Sequence, residues 1–442
     1  MATTITPSST GSGIDVTSTV DQLMAIERQP ETAMKAQQTA LNTKASAIGT
    51  INNALADLQS KVAVLTDFSG QLGARTVTSS DSTLLTATAD GTAPLANHQI
   101  VINNLAATSS FYSNTLSTSS TAVTQGSFDI QVNGVKTKTI TLDSTNNTLA
   151  GAAAAINSAN AGVTASVVVD TQGARLSILS STSGTAGEVS FANNGTNLTF
   201  NQAVAGKNAS LTVDGINIIS SSNTVQNVLS GVTLNLQSAN PSSTISLGVA
   251  PDATQASAAI QSFVSSYNTA INLVNAQFVY DPTTNFSQPL GGDSSLEFAQ
   301  QQLYTAISSS TTGNNGITSL SSLGITVNND GTLAVNATTL SNVLSSQNAD
   351  VQSFFQTTGT GFAQTFNATL SSMNDTTQGG LNVELSGINN SVSALGAQIT
   401  DFESRMAARQ TELTNEYSLV NVTLEQMPTL LAQVTSQLSS LG

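Results

Sequence analysis

The 442-residue chain has room for about three domains of ~150 residues each, but only 8% of it is charged, where an ordinary domain carries roughly 25%. Its 11 basic and 26 acidic residues give a net charge of −15 with no basic run, which excludes nucleic acid and anionic membranes as partners. Cysteine is absent, which excludes disulfides and thiolate metal sites. Tryptophan is absent too and aromatics are 4%, so cores must be built from Ala, Val, Ile and Leu. Such light packing suits a chain that is exported unfolded through a narrow channel.

Residues 1–13 are rich in Ser, Thr and Gly and are expected to be disordered. They offer neither a positive start nor an apolar run, so a cleaved secretory signal is not expected. Nowhere do about 18 apolar residues follow one another, as a membrane-spanning helix would need. From Ile14, the residues Val16, Val20, Leu23 and Ile26 recur at helical spacing until Pro30 interrupts. Residues 31–68 then predict one long helix. Its early seam is half polar, with Gln37 and Lys44 beside Met34 and Leu41. It becomes fully apolar from Ile48 through Ile51, Leu55, Leu58, Val62 and Leu65. The part before residue 45 therefore needs a partner.

After Gly70 the period changes to two. Strands are predicted over 76–89 and 98–105. Residues 128–132 and 135–142 flank Asn133 and Gly134, the strongest short hairpin signal. An Ala-rich helix over 148–159 leads to strands 163–170 and 175–179. A second hairpin turns at Asp214 and Gly215 between 209–213 and 216–219, followed by strands 232–236 and 242–249. These strands form two β-rich modules, with 108–198 inserted between 74–107 and 199–250.

Asp252 is a good N-cap for a helix carrying Ile260, Phe263, Val264, Tyr267, Ile271 and Val274. A loop around Pro282 and Pro289, a helix over 294–308, a small hairpin over 325–335 and two shorter helices follow. The chain closes on a heptad repeat. Val392, Ile399, Met406, Leu413, Val420, Met427, Val434 and Leu441 stand at steps of seven. Ile388, Leu395, Phe402, Tyr417, Leu424, Leu431 and Leu438 fill the alternate row, with a slip of one residue at Arg409. A stripe of this period must find another helix, and the N-terminal stripe is one candidate. Pro428 lies inside the repeat and should kink or break it.

Little here could carry chemistry. His98 is the lone histidine and reads as a structural strand residue. Asn329, Asp330 and Gly331 read as a hairpin turn, since the further carboxylates of a calcium loop are missing. Carboxylates are sparse and spread out, and no phosphate-binding glycine motif occurs. No enzyme, cofactor or metal is expected.

The block GIDVTSTVDQLMAIERQP, residues 13–30, resembles the N-terminus of the flagellar hook-associated protein 2 family, the filament-cap proteins. Further blocks agree in order. NTVQNVLSGVTL at 223–234 is similar to the family's central β segment, and FVSSYNTA at 263–270 to the helix after it. LGGDSSL at 290–296, LGITV at 323–327, DGTL at 330–333 and the pair Phe354 and Phe355 are similar to its C-terminal core. Residues 133–179 resemble a β module shared by hook and filament proteins.

The expected fold is a multidomain α+β chain. Terminal assembly segments (1–45 and 402–442) form coiled coils around a helical core (46–73 and 251–401) and the two β modules. The resemblance implies a ring-shaped homo-oligomer, commonly a pentamer, outside the cell at the flagellar tip. It further implies export by the flagellar type III apparatus with an export chaperone, and guidance of flagellin into the filament without membrane insertion. The assembly contacts expected are Ile14, Val16, Val20, Leu23, Ile26, Ile48, Leu55, Val62, Leu413, Val420, Leu431, Val434, Leu438 and Leu441. Two alternatives stand beside the cap. One is another axial subunit, a flagellin or a hook–filament junction protein. The other is an adhesin for host glycans, for which the middle offers Phe111, Tyr112 and Phe128.

Overall fold

The computed structural model describes residues 14–281 and 286–439. The expectations for residues 1–13, Pro282 and Leu441 lie outside the described residues. The helices are α1 (Val16–Glu27), α2 (Gln29–Thr66), α3 (Leu149–Ala159), α4 (Ala253–Ala276), α5 (Ser294–Ile307), α6 (Ala337–Ser346), α7 (Asn348–Gln356), α8 (Phe362–Met373) and α9 (Gly380–Ser439). The strands of the middle are β1 (Arg75–Ser79), β2 (Leu85–Ala89), β3 (Ala96–Asn104), β4 (Thr108–Ser113), β5 (Gly126–Val132), β6 (Val135–Leu142), β7 (Val163–Asp170) and β8 (Gly173–Ser183). They continue with β9 (Val189–Ala192), β10 (Phe200–Val204), β11 (Ala209–Val213), β12 (Ile216–Ser220), β13 (Thr224–Leu229), β14 (Val232–Leu236) and β15 (Ile245–Pro251). The chain divides into two compact units, and the multidomain α+β fold expected from the sequence is what forms.

The first unit takes residues 1–63, 261–337 and 357–442 and is mostly helical. Ile48, Ile51, Leu55, Leu58 and Val62 of α2 are all buried, as are Phe263, Tyr267, Leu303, Phe362, Phe366 and Leu370. The rings of Phe263, Phe362 and Phe366 meet edge to face, a favourable geometry for aromatic quadrupoles. Polar ties set the register. Asn52 Nδ2 donates to Asn382 Oδ1 at 2.7 Å, Asn374 Nδ2 to Gln59 Oε1 at 2.7 Å, and Ser266 Oγ to Asp57. The expected hairpin at 325–335 docks on α4. Tyr267 gives its hydroxyl hydrogen to Gly331 O at 3.1 Å, and Asn268 bonds both the carbonyl and the N–H of Leu333. Gly331 is required there: its φ is +80°, and a Cβ would sit 2.2 Å from the Tyr304 ring.

α1 begins at Asp15, whose carboxylate accepts the Ser18 N–H. Pro30 does not open a gap. It falls in the first turn of α2, where a missing N–H costs little, so the chain passes from α1 to α2 through Arg28 alone. Pro428 is a correction. α9 runs through it as one helix of 60 residues, about 90 Å at ~1.5 Å per residue. A proline deletes only one hydrogen bond of the ladder, and this stretch of α9 is exposed, so solvent can satisfy the freed carbonyl.

The second unit, residues 64–260 and 338–356, holds two apolar clusters. A five-stranded sheet (β1-β15-β3-β11-β12) and a three-stranded one (β13-β14-β2) contribute Leu85, Ile100, Ile102, Leu211, Leu234 and Leu247 to the first. The second cluster gathers Phe128, Ile130, Leu149, Ile156, Leu176 and Ile178 from α3, a four-stranded sheet (β10-β4-β8-β7) and a three-stranded one (β6-β5-β9). Both hairpin turns form as expected, with positive φ at Asn133, Gly134, Asp214 and Gly215. The single strand expected over 76–89 is instead two strands in different sheets. Asp81 breaks it: its Oδ1 accepts from the N–H and hydroxyl of Thr83, and its carbonyl from Leu84 and Leu85.

Candidate assembly surface

α1 lies antiparallel on α9. Val20, Met24 and Leu413 are buried between them, with Val16, Leu23, Met406 and Tyr417 packed around. The register is fixed at both ends. The Ile14 N–H donates to Asn421 Oδ1 at 2.7 Å, and Glu27 faces Arg409 at 3.7 Å. Arg409 also bonds Glu412 at 2.7 Å, so the slip in the heptad is the place where the seam turns ionic. Beyond the Arg28 joint the ties continue along α2. Lys35 Nζ stands 2.6 Å from Glu31 and 2.7 Å from Glu403, and Gln38 donates to Val392 O at 3.4 Å. The hydrogen bond from Lys35 holds the Glu31 carboxyl below its ordinary range, against the effect of burial.

The expected contact residues separate into three groups. Ile48, Leu55 and Val62 are fully buried in their own unit, so their stripe is filled by the chain's own helices. Val16, Val20, Leu23 and Leu413 close the α1–α9 seam, with Ile14 half-buried at its edge. Ile26 faces solvent, 53% exposed. Val420, Leu431, Val434 and Leu438 are also exposed, Leu438 by 67%. The N-terminal stripe therefore does not cover residues 431–438, because α1 ends its run at Asn421. Leu419, Val422, Met427 and Leu430 widen the exposed stretch, and no charged residue follows Glu425. A groove of about 620 Å³ between Leu23, Leu413, Tyr417 and Val420 leads onto it.

Met24, Tyr417 and Asn421 were missing from the expected set. Met24 stands four residues after Val20 and could have been found from that spacing. Asn421 had no signal, because a capping amide looks like any other in so Asn-rich a chain.

The other polar candidates are structural. His98 Nδ1 meets Asp214 Oδ2 at 2.7 Å and ties β3 to the β11–β12 turn. Asp330 accepts from Thr332 inside its hairpin turn. Of the three aromatics offered for glycans, Phe128 is in the core and Phe111 packs against it, which leaves Tyr112.

Three family descriptions match the chain: "Flagellar hook-associated protein 2 N-terminus" over residues 12–109, "Flagellin hook IN motif" over 127–182, and "Flagellar hook-associated protein 2 C-terminus" over 206–429. The B-type flagellar hook-associated protein 2 of Pseudomonas aeruginosa is 30% identical, over 97% of this chain and 96% of that protein. The flagellar hook-associated protein 2 of Escherichia coli K12 is 27% identical over the same shares. A crystal structure of the flagellar cap protein FliD from Escherichia coli superposes with a TM-score of 0.64 at 29% identity, covering 78% of this chain and 99% of that one. With matches to both ends of one family and a relative aligned nearly end to end, the chain belongs to the flagellar hook-associated protein 2 family, the filament-cap proteins of the bacterial flagellum.

Proposed function

We propose that this cap protein works as a closed homo-oligomer, a pentamer, outside the cell at the flagellar tip, where it guides arriving flagellin into the filament. It reaches that place through the flagellar type III export apparatus with the help of an export chaperone. No catalytic step is needed, since folding and packing of the incoming subunit supply the free energy of growth. Residues 1–45 and 402–442 are the assembly segments, 46–73 and 251–401 the helical core. Residues 74–107 with 199–250 form the inner β domain, and 108–198 the outer one.

The observation that carries this reading, beside family membership, is the exposed apolar run of α9 past Asn421, which carries no charge after Glu425. Apolar stripes of this length on a soluble chain mark an interaction site. A deletion strain tests it. Flagellin should appear in the medium as monomer and filaments should be lost, read by immunoblot of supernatant and cells. Normal filaments would reject the cap role. The glycan-adhesin reading loses support with Phe128 inside the core and Phe111 packed against it.

A further inference from the structure

Away from the α1–α9 seam, three helices of the first unit meet through charged side chains. Asp293 caps α5: its Oδ1 accepts the N–H groups of Ser295 and Leu296 at 3.0 and 3.2 Å. Its Oδ2 stands 3.6 Å from Lys44 Nζ on α2, and its side chain is only 9% exposed. Glu384, in the opening turns of α9, reaches the same corner. Its Oε2 is buried and has no hydrogen-bond donor among the described residues. The groups that face Glu384 are Asp293 and Ser295 from α5 and Lys44 from α2.

With both carboxyls ionised, this corner holds two negative charges against one ammonium and leaves a buried acceptor unpaired. Burial makes both features costly. One proton removes both at once. We propose that Glu384 and Asp293 clasp α9 to α5 by sharing a proton, and that the clasp loosens when that proton leaves. The proton sits on Glu384, whose O–H donates to the Asp293 carboxylate. Asp293 stays ionised because Lys44 and the N-terminal N–H groups of α5 face it. The shifts agree with this division. Burial, then the neighbouring Asp293, push the Glu384 carboxyl above its ordinary range. Burial alone would raise Asp293 as well, but the bond from Glu384 and the N–H groups of Leu296 and Ser295 bring it below its ordinary value.

The sign is the reverse of ordinary acid lability. A carboxyl raised in the folded state contributes stability that is fully present below its unfolded pKa and is lost as pH rises through the folded one. The α5–α9 joint therefore slackens as pH rises through the raised Glu384 value. The lowered Asp293 carboxyl keeps its part of the joint until pH falls below the ordinary aspartate range. Because α9 also carries the exposed stripe, the clasp governs how firmly the base of that helix is held.

The test is a carboxyl carbon NMR titration of the full chain labelled at glutamate, with the Glu384 signal assigned by its loss in Glu384→Gln. Its inflection should lie above those of surface glutamates, and should rise further in Lys44→Met. In thermal unfolding, Glu384→Gln keeps a donor at every pH, so it should melt above wild type near pH ~8 but not near pH ~4. If Glu384→Gln fails to fold, Asp293→Asn takes its place and must bring the Glu384 inflection down toward the ordinary range. A Glu384 that titrates with the surface glutamates, or parallel pH profiles for wild type and Glu384→Gln, would overturn the proposal.

Discussion

The backbone N–H of Ile14 donates to Asn421 Oδ1 at 2.7 Å, and past that bond α9 continues without α1 beside it. One helix thus carries two kinds of seam. Met406, Leu413 and Tyr417 are closed over by α1, and from Leu419 onward most of the apolar side chains face outward.

The closed part is small, so it should be separable from the rest. Met24→Ala removes buried methylenes from a cluster with few other members, a change that costs about 2–5 kcal/mol in well-packed cores. Hydrogen exchange should show α1 opening in this variant while the amides of α4 keep their protection. Loss of protection in both would mean that α1 docking is part of the core's own cooperativity.

Asp129 sets an acid limit for the outer β cluster. Hydrogen bonds from Thr139, Asn193 and Lys136 lower its carboxyl from 3.8 to about 2. A carboxyl lowered on folding contributes stability that is present above its unfolded pKa and lost as pH falls toward the folded value. The β5–β6–β9 sheet should therefore weaken between pH 3.8 and about 2. Asp129→Asn should flatten that dependence in a melt followed by β-sheet circular dichroism.

Gly331→Ala should destabilise the first unit by about 1–3 kcal/mol or more, because it adds a strained positive φ to a clash with the Tyr304 ring. Asp330→Ala removes only the turn's bonds to Thr332 and should cost less. Equal losses in calorimetry would contradict the close-packing explanation.

Pro428→Ala should raise the local stability of α9 by roughly 3 kcal/mol, since an interior proline is replaced by the best helix former. Slower amide exchange over residues 424–432 would show it. Unchanged exchange would mean that the helix is already broken there.

Periodicity made the faces of the helices legible but not their partners. Both terminal stripes were visible in the sequence, and pairing them was the natural inference. In the fold, Ile48, Leu55 and Val62 are buried within their own unit. Val16, Val20 and Leu23 meet Met406, Leu413 and Tyr417, one stretch earlier than Leu431. A seven-residue repeat reads the same at every heptad, so axial register has to come from other groups. Here it comes from the ties at Asn421 and Arg409. The hairpins were legible because Asn133, Gly134, Asp214 and Gly215 have a conformational requirement of their own. Strands β4, β10 and β13 were not, because Ser and Thr in β4, Asn and Gln in β10, and Thr, Gln and Asn in β13 interrupt the alternation that burial would otherwise impress.

The exposed run of α9 is where the assembly reading can be tested most directly. Val434 and Leu438 are 52% and 67% exposed and belong to no described core. Burying each against a filament would stabilise the contact by about 1.5–3 kcal/mol, and a carboxylate in its place would oppose it. The measurement is cosedimentation of the Val434→Asp, Leu438→Asp double variant with short flagellar filaments, alongside calorimetry of the free protein. The core transition should stay where it is while attachment to filament ends is lost. Wild-type attachment, or a core transition that collapses, would show that this stripe is not the anchor.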